Sequence, residues 1–475
     1  LSRVVIFLAI SAILCATEIA PSHTPRFSDY PFDQWAAAPE HSGIKWEIRL
    51  PPAQLSVHQR LVQRIQTVVP GGELAKRRGR GEMVLLARFE DSDGRQWRTG
   101  SRIDLAKVQE GVKSQELTFT TAAFVRPGDY KVSLALLDTQ TMEHSFTRRM
   151  LHVVPIKGDP LPDAWNGLPA VEVLPPVDGP DAWFLPGVKS LLHLPLHDLS
   201  LHGGVDTEQT GELRTNPTIQ TVAYTGTNTR APVRHSVSID LLVNTTPSQW
   251  TQNPAGNLRR NMSVVIPALK VLSALNAKVH PPSAAVLDLT HHRVGFETAN
   301  AASLDWDSMN QLFAQTNPSV IDAKSLAAQS SIRNYFAKEV ARRAGESGPE
   351  RWLIVLSGPL VFAKQDEMSL PELAPDPRRH IIYLRFSSGP GFVPPEIEIG
   401  PVKRVHGPMP GLGTVIPFPP GRGRGGGGRG EPGAGFPDDI ERMLKPMGAQ
   451  IVSITNPEVF RKTVASLIEE ISAAD

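Results

Sequence analysis

The sequence predicts two folded units of different class: an N-terminal β-sandwich of immunoglobulin-like type over residues 44–156, and a C-terminal α/β doubly wound unit over residues 233–475. Three observations carry this reading. Between Ile44 and Val154, short runs of β character are separated by explicit turns, and the first alternates apolar and polar residues with the period of a half-buried strand. From Val237 onward, nearly continuous apolar runs alternate with helix-length segments, the pattern of a parallel sheet covered on both faces. A chain of 475 residues also exceeds what one core usually supports.

At the start, Arg3 precedes the apolar run Val4 to Ala16, which suits a signal-peptide core over residues 1–16 and is short for a bilayer span. Cleavage is expected near Ala16; the alternative is retention as a membrane anchor. Cys15 is the sole cysteine, so removal of this run leaves no thiol for disulfides, thiolate metal sites or cysteine nucleophiles. The expectation is an exported protein, periplasmic or extracellular, with no membrane span after cleavage. Residues 17–43 carry Pro21, Pro25, Pro31 and Pro39 and read as a linker.

The first unit opens on Ile44 to Leu50. Strand-like runs follow at Leu61 to Val69, Met83 to Phe89, Glu116 to Phe119, Tyr130 to Leu137 and Arg149 to Val154. Asp91-Ser92-Asp93-Gly94 closes a hairpin and Pro127-Gly128-Asp129 leads into the next strand. Asp91 and Asp93 before a glycine resemble the opening of a calcium loop, but no later glutamate completes the ligand set, and a hairpin turn explains them.

Residues 157–232 read as a proline-rich connector followed by a loop rich in Gly, Thr and Asn over 203–230. His193 and His197 share a face if Leu191 to Leu201 is extended, but then stand about 13 Å apart, too far for one metal. In the second unit, strands are expected at Val237–Val243, Ala284–Leu289, Arg293–Glu297, Trp352–Leu356, His380–Phe386 and Gln450–Ile454. Helices are expected at Leu258–Asn276, Trp306–Ala314, Ala323–Arg343, after Pro437, and at Pro457–Ile471. Pro437-Asp438-Asp439 and Asn456-Pro457-Glu458 supply helix starts with acids on the first turn. A Gly/Pro-rich insertion over 387–435, with Gly421-Arg422-Gly423-Arg424-Gly425, reads as a flexible loop.

Four segments of this unit resemble the von Willebrand factor A family, especially divergent versions from secreted bacterial proteins. Ser238 to Ser248 looks like the family's first strand running into its metal-site loop, and Ile321-Asp322-Ala323 like the start of its third helix. Arg351 to Gly358 is similar to the strand that ends in a Thr-Asp-Gly turn, and Ala449 to Ile471 resembles the last strand and helix. In that family an Asp-x-Ser-x-Ser loop, a threonine and a second aspartate hold one Mg²⁺. Here Asn244 stands in place of the first aspartate, Thr246 and Ser248 keep the hydroxyls, Pro318 stands where the threonine is expected, and Ser357-Gly358 replaces the second aspartate. A neutral oxygen set holds a small dication poorly, so no metal and no cofactor are expected. Asn244, Thr246, Ser248 and Ser357 remain candidate binding residues, because ligands of doubly wound sheets gather beyond the carboxyl ends of the strands. The favoured reading of Asn244 to Ser248 is nonetheless a polar turn capping the following helix.

Lys+Arg 49 against Asp+Glu 48 gives no field suited to nucleic acid. No Gly-x-Ser-x-Gly, P-loop lysine or His-Glu-x-x-His occurs, so no catalytic residue is assigned. The expectation is a non-enzymatic binding or scaffolding protein with a protein or glycan partner in the cell envelope. The alternative is a cell-envelope hydrolase whose site carries no motif.

Overall fold

The computed structural model describes residues 25–108, 111–174, 190–196, 237–244, 246, 254–276, 281–304, 329–346, 350–361, 366–367, 373–386, 400–405 and 438–474. The stretch 1–16, the loop 203–230, Ser248, Pro318, Asp322 and the expected helix at 306–314 lie outside them.

The N-terminal unit is a β-sandwich. One antiparallel sheet has the order β1 (His41–Ser42), β9 (His144–Val153), β8 (Gly128–Asp138), β5 (Glu82–Glu90), β6 (Gln96–Asp104). The other runs β10 (Val171–Val173), β7 (Gln115–Val125), β4 (Leu61–Pro70), β2 (Glu47–Arg49), with β3 (Gln54–Leu55) also on β4. Period-two alternation explains the packing. Met83 and Leu85 of β5 meet Val69 of β4 and Leu117 and Phe119 of β7 in the core between the sheets. Val84 and Leu86, one residue out of phase, face the opposite side and pack on Phe32 and Phe146.

That outer layer corrects the linker expectation for residues 17–43. Residues 25–43 hold a short helix, α1 (Phe32–Ala37), and β1, which pairs with β9. Phe32 is buried, with its ring edge-on to Phe27 at 5.0 Å and to Phe146 at 5.8 Å. The aromatic residues outweigh the prolines: a face of β5 apolar on both sides needs a cover, and Phe27, Phe32 and Trp35 provide it.

The unit also extends past residue 156. A 3₁₀ turn at Pro162–Trp165 and the strand β10 close its second sheet, so residues 157–174 belong to the sandwich rather than to a connector. Pro162 stands on the first turn, where its missing N–H costs nothing, and Trp165 is buried behind it. A helix not expected from the sequence, α2 (Gly71–Arg77), follows β4 directly.

The C-terminal unit is built on β12 (Val237–Asn244), β14 (Ser283–Asp288), β15 (Arg293–Thr298), β16 (Glu350–Ser357), β17 (Arg379–Phe386) and β19 (Gln450–Ile454). Their spatial order is β15-β14-β12-β16-β17-β19, parallel except for the β15 edge. Helices cover both faces. α3 (Pro254–Leu272) and α6 (Pro457–Ala474) pack on one through Leu269 and Val464. On the other, α4 (Ile332–Ala344) and α5 (Asp439–Leu444) pack through Phe336 and Met443. This two-sided burial is why Leu353 to Leu356 read as an unbroken apolar run. Among the described residues no helix is long and apolar enough to cross a membrane. One further pair, β11 (Leu194–Pro195) with β13 (Leu275–Asn276), ties the segment between the units to the end of α3.

The two units share a hydrophobic cluster, and an ion pair pins them together. Arg461 of α6 is 1% exposed. Its guanidinium grips Asp159 through two bonds of 2.5 and 2.7 Å, donates to the carbonyls of Leu161 and Gln59, and lies 4.8 Å over the Trp165 ring. Gln59 adopts a left-handed φ of 58°, which lets its carbonyl accept from both Trp165 Nε1 and Arg461 while its side chain donates to Pro457 O. Burial opposes ionisation of Asp159, but the Arg461 hydrogen bonds, the Leu161 N–H and the cation's field outweigh it and hold the carboxyl below its ordinary range.

Candidate functional site

The sheet order reverses at β12. From there the chain goes first to β14 on one side and later to β16 on the other, so β12 and β16 flank the point where doubly wound sheets open a crevice beyond their carboxyl ends. Val243 pairs with Leu356, which brings the next residues, Asn244 and Ser357, side by side at that end.

Three of the four candidate residues come together there, and Ser248 lies outside the described residues. Asn244 Nδ2 donates to Ser357 Oγ at 2.9 Å, and Asn244 Oδ1 accepts the Thr246 N–H at 3.1 Å. Ser357 Oγ donates to Gly358 O at 2.7 Å, and Thr246 Oγ1 accepts the Leu289 N–H at 3.1 Å. The chain of bonds therefore crosses the ends of β14, β12 and β16. Ser357 is 0% exposed, Asn244 1% and Thr246 7%. Read from sequence as candidate binding residues, these three side chains are instead turned inward and brace the sheet end.

A carboxylate does stand nearby, on a residue read from sequence only as part of a helix start. Asp438 caps α5, its Oδ1 accepting from Ile440 N at 3.0 Å and from Leu360 N at 3.2 Å. The Tyr383 hydroxyl of β17 lies 2.9 Å from Asp438 Oδ2 and 3.3 Å from Gly358 O, within donating reach of either. Burial raises the Asp438 carboxyl above its ordinary range despite these donors, and burial together with the Asp438 charge raises the Tyr383 phenol well above its own. The group thus holds the loop after β16 against β17 and α5. The sequence signal for it is Tyr383 inside an apolar strand, since a buried phenol requires a partner.

Asp240, an acid on the same strand as Asn244, is committed elsewhere. It pairs with Arg343 at 3.0 Å and accepts from Ser283 at 2.9 Å, four positions back along β12 from Asn244. Asp305 and Asp322 lie outside the described residues. At the end of β14, Asp288 Oδ2 meets His291 Nδ1 at 2.6 Å and Arg293 Nε at 3.1 Å. Comparable pairs, His152 with Asp129 and His380 with Glu350, occur far from this edge, so a carboxylate–imidazole contact does not single it out as catalytic. Among the described residues no three His, Cys, Asp or Glu side chains are grouped to hold a metal.

No protein-family profile matches the chain, and no curated protein matches it. Among solved structures it is similar to a glycosyl hydrolase family 2 member from Bacteroides cellulosilyticus DSM 14838, at 11% identity over 66% of this chain and 36% of that one, with a TM-score of 0.17. A likeness at that score carries nothing to this chain's fold or activity.

Proposed function

We propose that the protein is an exported, non-enzymatic interaction scaffold: an immunoglobulin-like sandwich locked to a von Willebrand A-like unit whose ion site is replaced by an internal hydrogen-bond chain. The observation that carries it is the 2.9 Å bond from Asn244 to Ser357. In the resembled family, the residues at these two positions converge on one Mg²⁺. Their direct contact here supports the resemblance and supplies the bracing without the charge of a dication. The partner, a protein or glycan of the cell envelope, meets the loops around this edge rather than the buried trio. The exposed His291 lies in the turn that follows Leu289, whose N–H is bonded to Thr246.

A photo-crosslinking group at His291, with a second at the exposed Met150 of the sandwich as control, tests the reading in the native host. One envelope partner should be captured from His291 alone, with equal yield in chelator. Release of sugars or peptides from envelope polymers by the purified protein would instead establish the hydrolase alternative.

A further inference from the structure

The outer edge of β7 carries a strand that does not belong to the sandwich. β10 covers Ala123–Val125, and β18 (Gly400–Val405) covers Gln115–Thr120 by antiparallel pairing, from Gly400 opposite Thr120 to Val405 opposite Gln115. β18 lies within the insertion of the α/β unit, between β17 and α5, so the expected loop over 387–435 contains a strand. The backbone bonds fix which β7 residues face this edge. Leu174 N donates to Ala122 O, and Arg126 N donates to Ala170 O, so the even-numbered residues point their amides outward. The β4–β7 register runs unbroken from Val125 to Glu116, which carries that parity to Glu116, Thr118 and Thr120. Val402 and Arg404 then face β7 with their own amides. Pro401, opposite Phe119, stands where the edge asks for no N–H and blunts the new outer edge.

We propose that the outer edge of β7 over Gln115–Thr120 is an acceptor for an extended segment of a partner protein, held in reserve by β18 of the same chain. An unpaired edge of this length is a template for strand addition and is normally covered. Its cover comes from a remote insertion flanked on both sides by long Gly- and Pro-rich sequence, 387–399 and 406–437, and not from the sandwich's own strands. The register also states what the edge accepts: an antiparallel strand with a basic residue opposite Glu116, where Arg404 now stands. This site extends the scaffold reading but lies on the other unit, so a metal-dependent α/β edge would overturn that reading and leave this one standing.

The probe is a fluorescent peptide of residues 398–406, titrated into the intact chain and into a variant with 400–405 replaced by Gly and Ser. A tethered strand acts at roughly millimolar effective concentration, so the variant should bind the peptide at least about tenfold more tightly. N-methylation at Val402 or Arg404 should abolish binding, and N-methylation at Lys403 should leave it. A glutamate at the Arg404 position of the peptide should weaken binding about fivefold. A second arm keeps the intact fold: Gln115→Cys with Val405→Cys, in a Cys15→Ser background, joins a facing pair. Oxidation should then remove peptide binding and reduction restore it. Equal binding by variant and intact chain, indifference to the position of N-methylation, or equal binding by the oxidised and reduced forms would each overturn the proposal.

Discussion

Replacing Arg461 by alanine is expected to destabilise the protein by about 3–5 kcal/mol, because it leaves the Asp159 carboxylate in a half-buried socket with its cation gone. Arg461 also fills space over Trp165 and satisfies the carbonyls of Gln59 and Leu161, so the loss is of packing and hydrogen bonds as well as charge. Urea unfolding should change from one transition to two, as the sandwich and the α/β unit lose their shared pin. The double change Arg461→Met with Asp159→Leu should recover most of the deficit, since an apolar pair of similar volume removes the stranded charge. A single unchanged transition in Arg461→Ala would mean that the shared hydrophobic cluster alone couples the units.

Asn244→Asp is the second large effect. It places a carboxyl at a 1% exposed position whose neighbours, Ser357 and the Thr246 N–H, are neutral. The expected cost at pH 7 is on the order of 3 kcal/mol, from burial of a charge without a cation. The sign with pH follows. Burial raises the folded-state pKa of the introduced carboxyl above an unfolded value of about 3.9. The penalty is therefore small below that pH and grows as pH rises through the folded-state pKa. Asn244→Ala, which strands the Thr246 N–H and deprives Ser357 of a donor, should cost about 1–3 kcal/mol with no such pH dependence. Melting temperatures of both variants between pH 4 and 8 distinguish the two behaviours, and parallel curves would contradict the burial of this position.

The parts that were legible in sequence are those where one local pattern fixes the outcome. The apolar run at Trp352 to Leu356 forms a strand buried on both faces, as its composition requires. Asp438 starts α5 through a side-chain cap, and the turn at Asp91 to Gly94 is held by Asp91 bonding the amides of Asp93 and Arg95. What escaped depends on contacts distant in sequence. The N-terminal segment reads as a proline-dotted linker until β5 supplies the apolar face it covers. Nothing in the local sequence around Arg461 marks its partner, Asp159, which lies 302 positions away. Three of the candidate residues, Asn244, Thr246 and Ser357, meet at one end of the sheet. Their burial was not foreseeable, because the same hydroxyls and amide can point outward to a ligand or inward to one another. The deciding feature is the Asn244–Ser357 distance across two strands, which no local spacing encodes.

The claim that the α/β edge is closed without a divalent ion is tested most directly by melting the wild-type protein in millimolar Mg²⁺ or Mn²⁺ and again in chelator. An ion present at a hundredfold excess over its dissociation constant would raise stability by about 2.7 kcal/mol, a shift of several degrees. The account predicts superimposable curves under all three conditions. A saturable upward shift with Mg²⁺, lost in Thr246→Ala or Ser357→Ala, would contradict it.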